Sequence, residues 1–317
     1  MDTLPTTSQT GKARTNYISR LFGTNPIIRK EVRTRMRSLR TFFVLTGFLV
    51  LLSVGAVVIM MGLVFVADQP GSLQLWQRAG KIVFYTVFIL ELFLISFIAP
   101  ALTAGAIASE RERQTYDLLR TTLLSEARII IGKLSAALLF LLILLLSSLP
   151  LFAIAFTFGG VETPEIIIGL LIILFTTINY SSLGMFFSTI MKRPLLSTIL
   201  TYAIILLFFV GIPLLILTTL VIGAPIFGLQ VTSPSIIVQI TVYTIGWLIL
   251  SMNPITAAIA SEIIYLSDHS IFVAELTLTN GSIYRLLSPW VMFLVFSAVA
   301  IALLLLLSIQ ILSRPEK

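Results

Sequence analysis

Residues 108–125, with the sequence ASERERQTYDLLRTTLLS, form the one long charged stretch between the apolar runs of this chain. The apolar runs on both sides exceed about 20 residues, which is enough for a helix to cross about 30 Å of hydrocarbon. Of the 317 residues, 57% are hydrophobic and only 11% are charged, whereas soluble domains carry about 25% charged residues. This composition excludes a soluble helical protein and predicts a polytopic membrane protein.

The apolar runs predict an all-α fold with six transmembrane helices. Basic residues crowd into four segments that all fall on one side of the predicted membrane, whereas the three tryptophans fall on the other side. Because cytoplasmic loops carry an excess of lysine and arginine, both termini are expected in the cytoplasm. The predicted spans are 41–67, 81–108, 129–158, 165–190, 195–222 and 288–312, the basic segments are 12–40, 111–133, 192–193 and 314–317, and the tryptophans are Trp76, Trp247 and Trp290.

Two segments precede the first span. Residues 1–24 are polar and lack the apolar core of a cleavable signal, so they are expected to form a cytoplasmic tail. Residues 25–40 begin with Asn25-Pro26, a helix-start pattern, and separate an apolar face from a basic face. This pattern predicts an amphipathic helix that lies in the membrane interface. The alternative interpretation is that its basic residues only flank the first span.

The segment 223–287 is expected outside, because Arg285 is its only strong base. Residues 236–252 are apolar but short and partly polar, so they are interpreted as a re-entrant or outer-leaflet helix. If they crossed the bilayer, the C-terminus would lie outside. Asn253-Pro254 then predicts the start of a short helix that runs towards Tyr265.

The second span contains two residues that are unusual in a transmembrane helix, Glu91 and Pro100. A carboxyl group at mid-depth costs several kcal/mol unless it is paired, protonated or solvated, so Glu91 is expected to face the bundle interior. It either lines a polar transport path or forms a hydrogen bond between helices. Pro100 removes a backbone donor and predicts a kink before the charged stretch.

Several chemical functions have no matching residues in the sequence. There are no cysteines and only one histidine, His269, so thiol chemistry and multi-histidine metal sites are excluded. Gly132-Lys133 is followed by leucine and is not preceded by the glycine of a P-loop. We therefore expect no catalytic residue, metal or cofactor in this chain. The net charge of +7 is interpreted as membrane orientation rather than nucleic-acid binding.

The charged stretch itself has the pattern of a docking helix. Ser109 and Glu112 have the spacing of a capping box. Leu118, Leu119 and Leu123 follow, and apolar side chains on a cytoplasmic loop need a groove that buries them. The alternative is an ordinary loop helix that folds back on the membrane.

The stretch 110–125, followed by Gly132-Lys133, resembles the "E-R-E-x-G-T-x-x-x-L…P-x-S…G-K" signature of type-2 exporter permeases, the ABC-2-like membrane subunits of ATP-binding-cassette transporters. Gln114 stands where that signature has glycine, and Leu124 stands near its proline. Asn25-Pro26 and Asn253-Pro254 resemble the starts of the connecting helix and of the gate helices in the same family.

The resemblance implies a permease without its own nucleotide site. A second copy, or a homologous permease, would form a dimer with it in the plasma membrane of a prokaryote, and two separate ABC ATPase subunits with ATP-Mg would hold the coupling helix. We expect Tyr116, Leu118 and Leu119 to be anchors that the ATPase buries, with charged residues beside them in ion pairs. The alternatives are an ATPase-driven scaffold or sensor and a secondary transporter. The residues assigned to ATPase coupling are Glu110, Arg111, Glu112, Arg113, Thr115, Tyr116, Asp117, Leu118, Leu119, Arg120 and Leu123, and Glu91 is assigned to a transport path.

Overall fold

The computed structural model describes residues 39–67, 79–116, 125–218, 235–268, 270–278 and 280–313. The predicted tail 1–24 and all but the end of the predicted interfacial helix 25–40 lie outside this part of the chain. Trp76 and His269 also lie outside it.

The described residues form ten α-helices, one π-helical turn and two strands. The helices are α1 (Leu39–Ala67), α2 (Ala79–Thr103), α3 (Ala108–Glu112), α4 (Glu126–Thr157), α5 (Thr163–Ile190), α6 (Pro194–Leu206), α7 (Ile212–Thr218), α8 (Ile236–Ser251), α9 (Pro254–Asp268) and α10 (Pro289–Ser313); a π-helical turn (Leu207–Gly211) joins α6 to α7, and strands β1 (Val273–Thr277) and β2 (Ile283–Leu287) precede α10.

The prediction of six apolar helices of membrane-spanning length is confirmed. They are α1, α2, α4, α5, α10 and the rod formed by α6, the π-helical turn and α7. The second candidate span runs from Ala79 to Glu112 and includes the predicted span 81–108. Within it, α2 ends at Thr103, and a turn over residues 104–107 separates it from α3. Pro100 lies inside α2, and the helix ends one turn after it.

Helix α5 lies at the centre of the bundle and packs against α2, α4, α6, α9 and α10. Two glycines let helices approach closely in this bundle. A Cβ on Gly184 of α5 would lie 2.3 Å from Thr103 Oγ1 of α2. A Cβ on Gly80 of α2 would lie 2.1 Å from the carbonyl oxygen of Gly159. At Gly80 the backbone of α2 therefore meets backbone carbonyls at the end of α4 directly, whereas at Gly184 the Thr103 side chain of α2 packs directly on the backbone of α5.

The fifth span contains Gly211 and Pro213 and is interrupted by a π-helical turn over Leu207–Gly211. Such a turn leaves backbone carbonyls without their regular helical partners. The buried Asn253 side chain donates to the carbonyls of Phe208 (2.6 Å) and Phe209 (3.1 Å). Its Oδ1 accepts the backbone N–H of Ile255 and so caps α9, which confirms the predicted helix start at Asn253-Pro254.

The all-α prediction missed an antiparallel hairpin of β1 and β2. Glu275 pairs with Arg285 across it, with 2.9 Å between Arg285 Nε and Glu275 Oε1. Gly281 has a φ of +79° at the tight turn. Asn280-Gly281 between short runs with β-branched residues is a hairpin signal, and the two strands were too short to register as apolar runs.

Candidate functional site

The charged segment of residues 104–116 leaves the end of α2 and is fixed to one end of the bundle by polar contacts. The short helix α3 starts there, and its first backbone N–H groups need acceptors. Ser188 Oγ of α5 accepts the N–H groups of Ile107 (2.8 Å) and Ala108 (3.0 Å), and all three residues are fully buried. The cap of α3 therefore comes from another helix.

This cap replaces the predicted capping box of Ser109 and Glu112, which was wrong. The residue at the N-cap position is Ile107, and no side chain of the segment caps α3. The Ser-x-x-Glu spacing gave a false signal because α3 begins one residue before Ser109. Nothing local in the sequence connects Ser188 with α3, since the two lie about 80 residues apart.

Lys133 of α4 holds the same segment from a second side. Its side chain is 6% exposed, and Nζ lies 3.0 Å from the carbonyl oxygen of Ala106 and 2.6 Å from Glu110 Oε1. The carbonyl of Ala104 accepts a hydrogen bond from Ser197 Oγ of α6 (2.6 Å). The segment is thus attached to α4, α5 and α6, and Lys133 belongs to the Gly-Lys pair that follows the charged stretch in the sequence.

Arg111 and Tyr116 complete the attachment. Arg111 Nη1 donates to the carbonyl of Thr189 (2.6 Å), and its guanidinium carbon lies 5.2 Å from the centre of the Tyr116 ring. Tyr116 is 5% exposed and packs in a cluster that includes Ile130 and Met185 of this chain. The structure therefore places Tyr116 inside its own subunit, which differs from its predicted role as an anchor buried by a partner.

The water-exposed part of the described segment is Glu112, Arg113, Gln114 and Thr115. Gln114 has a φ of +55°, a left-handed conformation that glycine adopts more easily. The backbone turns at this position, and Gln114 makes the turn at a cost that glycine would not incur. The other predicted coupling residues, Asp117, Leu118, Leu119, Arg120 and Leu123, lie outside the described residues.

Glu91 faces the bundle interior, as expected for a carboxyl group in a span. It is fully buried, and Oε1 accepts a hydrogen bond from Ser148 Oγ of α4 (2.8 Å). Oε2 has no hydrogen-bond partner among the described residues. Glu91 lies between α2 and α4, and its assignment to a transport path stays a prediction.

Two comparisons with known proteins bear on this site. No curated protein matches the chain. The sequence profile of a family described as "ABC-2 family transporter protein" matches residues 25–315, which is nearly the whole chain and includes the complete charged segment. This match agrees with the six apolar helices and with the resemblance of the 110–133 block. The chain belongs to the ABC-2 family of transporter proteins.

Proposed function

We propose that this chain is the permease subunit of an ATP-driven transporter. Residues 110–123 would contact separate ABC ATPase subunits and transmit their ATP-driven movement to the membrane helices. The observation that supports this proposal is the attachment of the segment to several helices at once. Lys133 connects it to α4, Ser188 and the Thr189 carbonyl connect it to α5, and Ser197 connects it to α6.

A transmission element has to move together with the helices that it drives. Most of the bundle residues that contact the segment are buried, and they bind its backbone groups and the Glu110 carboxylate. A displacement applied at the exposed edge, Glu112 to Thr115, therefore moves the inner ends of α4, α5 and α6 instead of bending a free loop. Such rigid-body motion is a common way of switching between two packed states.

The ATPase would contact the exposed edge and the residues after Tyr116. The buried Tyr116 orients the chain from inside the subunit, and Leu118 and Leu119 remain the proposed anchors in the partner's groove. This chain itself supplies no nucleotide site in the proposal, and ATP-Mg is bound by the ATPase subunit.

The proposal places the segment in the cytoplasm of a prokaryotic cell, with both termini on the same side and α8–α9 as a re-entrant gate region in the outer leaflet. The Asn253 contact with the π-helical turn supports the re-entrant arrangement, because it puts the α8–α9 connection beside the fifth span. A second copy, or a homologous permease, would pack against this one and form the path with the second and fifth spans. The fifth span has an apolar exposed face that includes Leu195, Leu207 and Leu214.

Affinity purification from native membranes tests the coupling. We expect the tagged chain to co-purify with a subunit that carries a P-loop and hydrolyses ATP. The double charge reversal Glu112→Lys/Arg113→Glu, or the pair Leu118→Asp/Leu119→Asp, should abolish this association. The matched control, Glu275→Lys/Arg285→Glu, reverses the exposed hairpin pair and should retain it. Equal association for all variants would refute the docking assignment.

A further inference from the structure

The end of the bundle opposite the charged segment of residues 104–116 carries a separate cluster of charged residues. Lys81 lies in the first turn of α2, Glu165 in the first turn of α5, and Glu262 on α9. Lys81 Nζ lies 3.0 Å from Glu165 Oε1 and forms a second ion pair with Glu262. The Lys81 ammonium group thus connects α2 with α5 and α9, through carboxylates that lie 84 and 181 residues further along the sequence.

This cluster is shielded from water. The side chains of Lys81, Glu165 and Glu262 are 19%, 5% and 11% exposed. Attraction between charges is stronger in such surroundings than in water. If one partner of a buried pair is removed, the other charge is left uncompensated, which is strongly destabilising. Here Lys81 faces two carboxylates, so its loss would leave two like charges side by side.

A second contact ties α9 to the same end of the bundle. The Tyr265 hydroxyl donates to Glu162, the residue that precedes α5 and caps it. Accepting this bond, the Glu162 carboxylate raises the pKa of Tyr265, so the phenol keeps its proton at neutral pH. Glu262 and Tyr265 are three residues apart and lie on one face of α9. On the same face, Ser261 Oγ accepts the backbone N–H of Trp290 at 3.0 Å.

The face of α9 that carries these contacts also lines a cleft. Phe84 and Phe88 of α2 and Trp290 of α10 form its apolar walls, and Glu165 and Glu262 lie in the same lining. Ala258, one turn from Glu262 along α9, also lines the cleft and is 7% exposed. Helix α9 therefore forms one wall of the cleft, and the polar contacts hold it at the starts of α2, α5 and α10.

We propose that Lys81 is an electrostatic latch that holds α9 closed over this end of the bundle and that α9 moves away from α2 and α5 when the path opens. The assignment of this end as the outer exit rests on the proposed function. The latch itself is a property of this chain alone. Opening exchanges the two ion pairs and the Tyr265 bond for contacts with water, so the closed state is stable until another force displaces the helices.

The absence of cysteine from the sequence permits a direct test. The variant Ala258→Cys places a single thiol at a buried position in the cleft lining. Its reaction rate with a membrane-impermeant maleimide is measured on the purified chain in nanodiscs, without nucleotide or ATPase. We expect slow reaction in this background and, when Lys81→Met is added, an acceleration of about tenfold or more, because the uncompensated carboxylates favour the open state.

Two further variants separate the latch from general loosening. Arg285→Met removes an exposed ion pair on the hairpin and should leave the rate unchanged. The charge exchange Lys81→Glu/Glu262→Lys restores one cation between two carboxylates and should restore slow reaction. If Lys81→Met does not fold, Glu262→Gln provides the same test with a smaller expected acceleration.

Equal rates with and without the Lys81 substitution would overturn the latch, and so would equal acceleration by Arg285→Met. No ATPase is present in this experiment, so neither result bears on the association of this chain with an ATPase. That association is tested separately by affinity purification.

Discussion

The substitution Ser188→Ala tests whether the charged segment of residues 104–116 is held in place by the helix bundle. The Ser188 hydroxyl accepts the two N–H groups at the start of α3, from Ile107 and Ala108. Alanine removes the acceptor and leaves both buried donors unpaired, while the helical backbone of α5 is unchanged. The segment should then open locally far more often than in the parent protein.

The structure sets the size of the effect. A buried donor without a partner costs about 1–3 kcal/mol, and two donors lose their partner here. Because α3 has only five residues and water can reach its exposed side, we expect partial relaxation and a net cost of about 2–4 kcal/mol. At about 1.36 kcal/mol for each factor of ten, local opening becomes about 30- to 900-fold more frequent.

Hydrogen–deuterium exchange measures this opening directly. The peptide that covers residues 104–112 should exchange about 30- to 900-fold faster at the amides of Ile107 and Ala108 in the variant. The matched control is Ser147→Ala, because Ser147 Oγ donates to the carbonyl of Leu144 in its own helix. That substitution should leave exchange in 104–112 unchanged. Unchanged exchange in Ser188→Ala would refute the fixed attachment on which the proposed transmission depends.

Three further substitutions test the packing and the turns by thermal unfolding in nanodiscs. Gly80→Ala should cost about 3 kcal/mol or more of the free energy of unfolding, because its Cβ would overlap a carbonyl of α4. The control is Gly62→Ala, whose Cβ meets nothing within 4 Å, and it should stabilise the protein by about 0.5–1 kcal/mol. Equal effects of the two substitutions would contradict the close crossing. Gln114→Gly should stabilise by about 0.5–1 kcal/mol, since it relieves a left-handed residue, and a loss of stability would contradict the left-handed conformation of Gln114. Asn253→Ala should destabilise by about 2–4 kcal/mol, because it leaves buried carbonyl and amide groups unpaired; a neutral result would remove Asn253 from the contact between α9 and the fifth span.

The spans could be predicted from the sequence because their signal is local. Twenty or more consecutive apolar residues report membrane-spanning length without knowledge of any partner. The helix start at Asn253-Pro254 is equally local, since the cap and the helix are adjacent. The hairpin could also have been predicted from the sequence, because Asn280-Gly281 is a local turn signal.

The contacts that fix the candidate site could not be predicted in the same way. Ser188 caps a helix that lies about 80 residues earlier, and Lys81 joins two carboxylates on separate helices. No periodicity in one segment records which distant segment packs against it. Tyr116 shows the consequence: the sequence assigned its ring to a groove of the ATPase, whereas the structure packs the ring in a cluster of its own subunit.

Single-cysteine cross-linking tests the central claim most directly. A thiol introduced by Arg113→Cys, on the exposed edge of the coupling segment, is labelled with a photoreactive maleimide in native membranes, and the adducts are identified by mass spectrometry. The proposal predicts an adduct with a P-loop ATPase subunit at this position and none after Arg285→Cys on the hairpin at the opposite end. If Arg113→Cys yields no ATPase adduct, or if both positions yield the same one, the coupling account is contradicted.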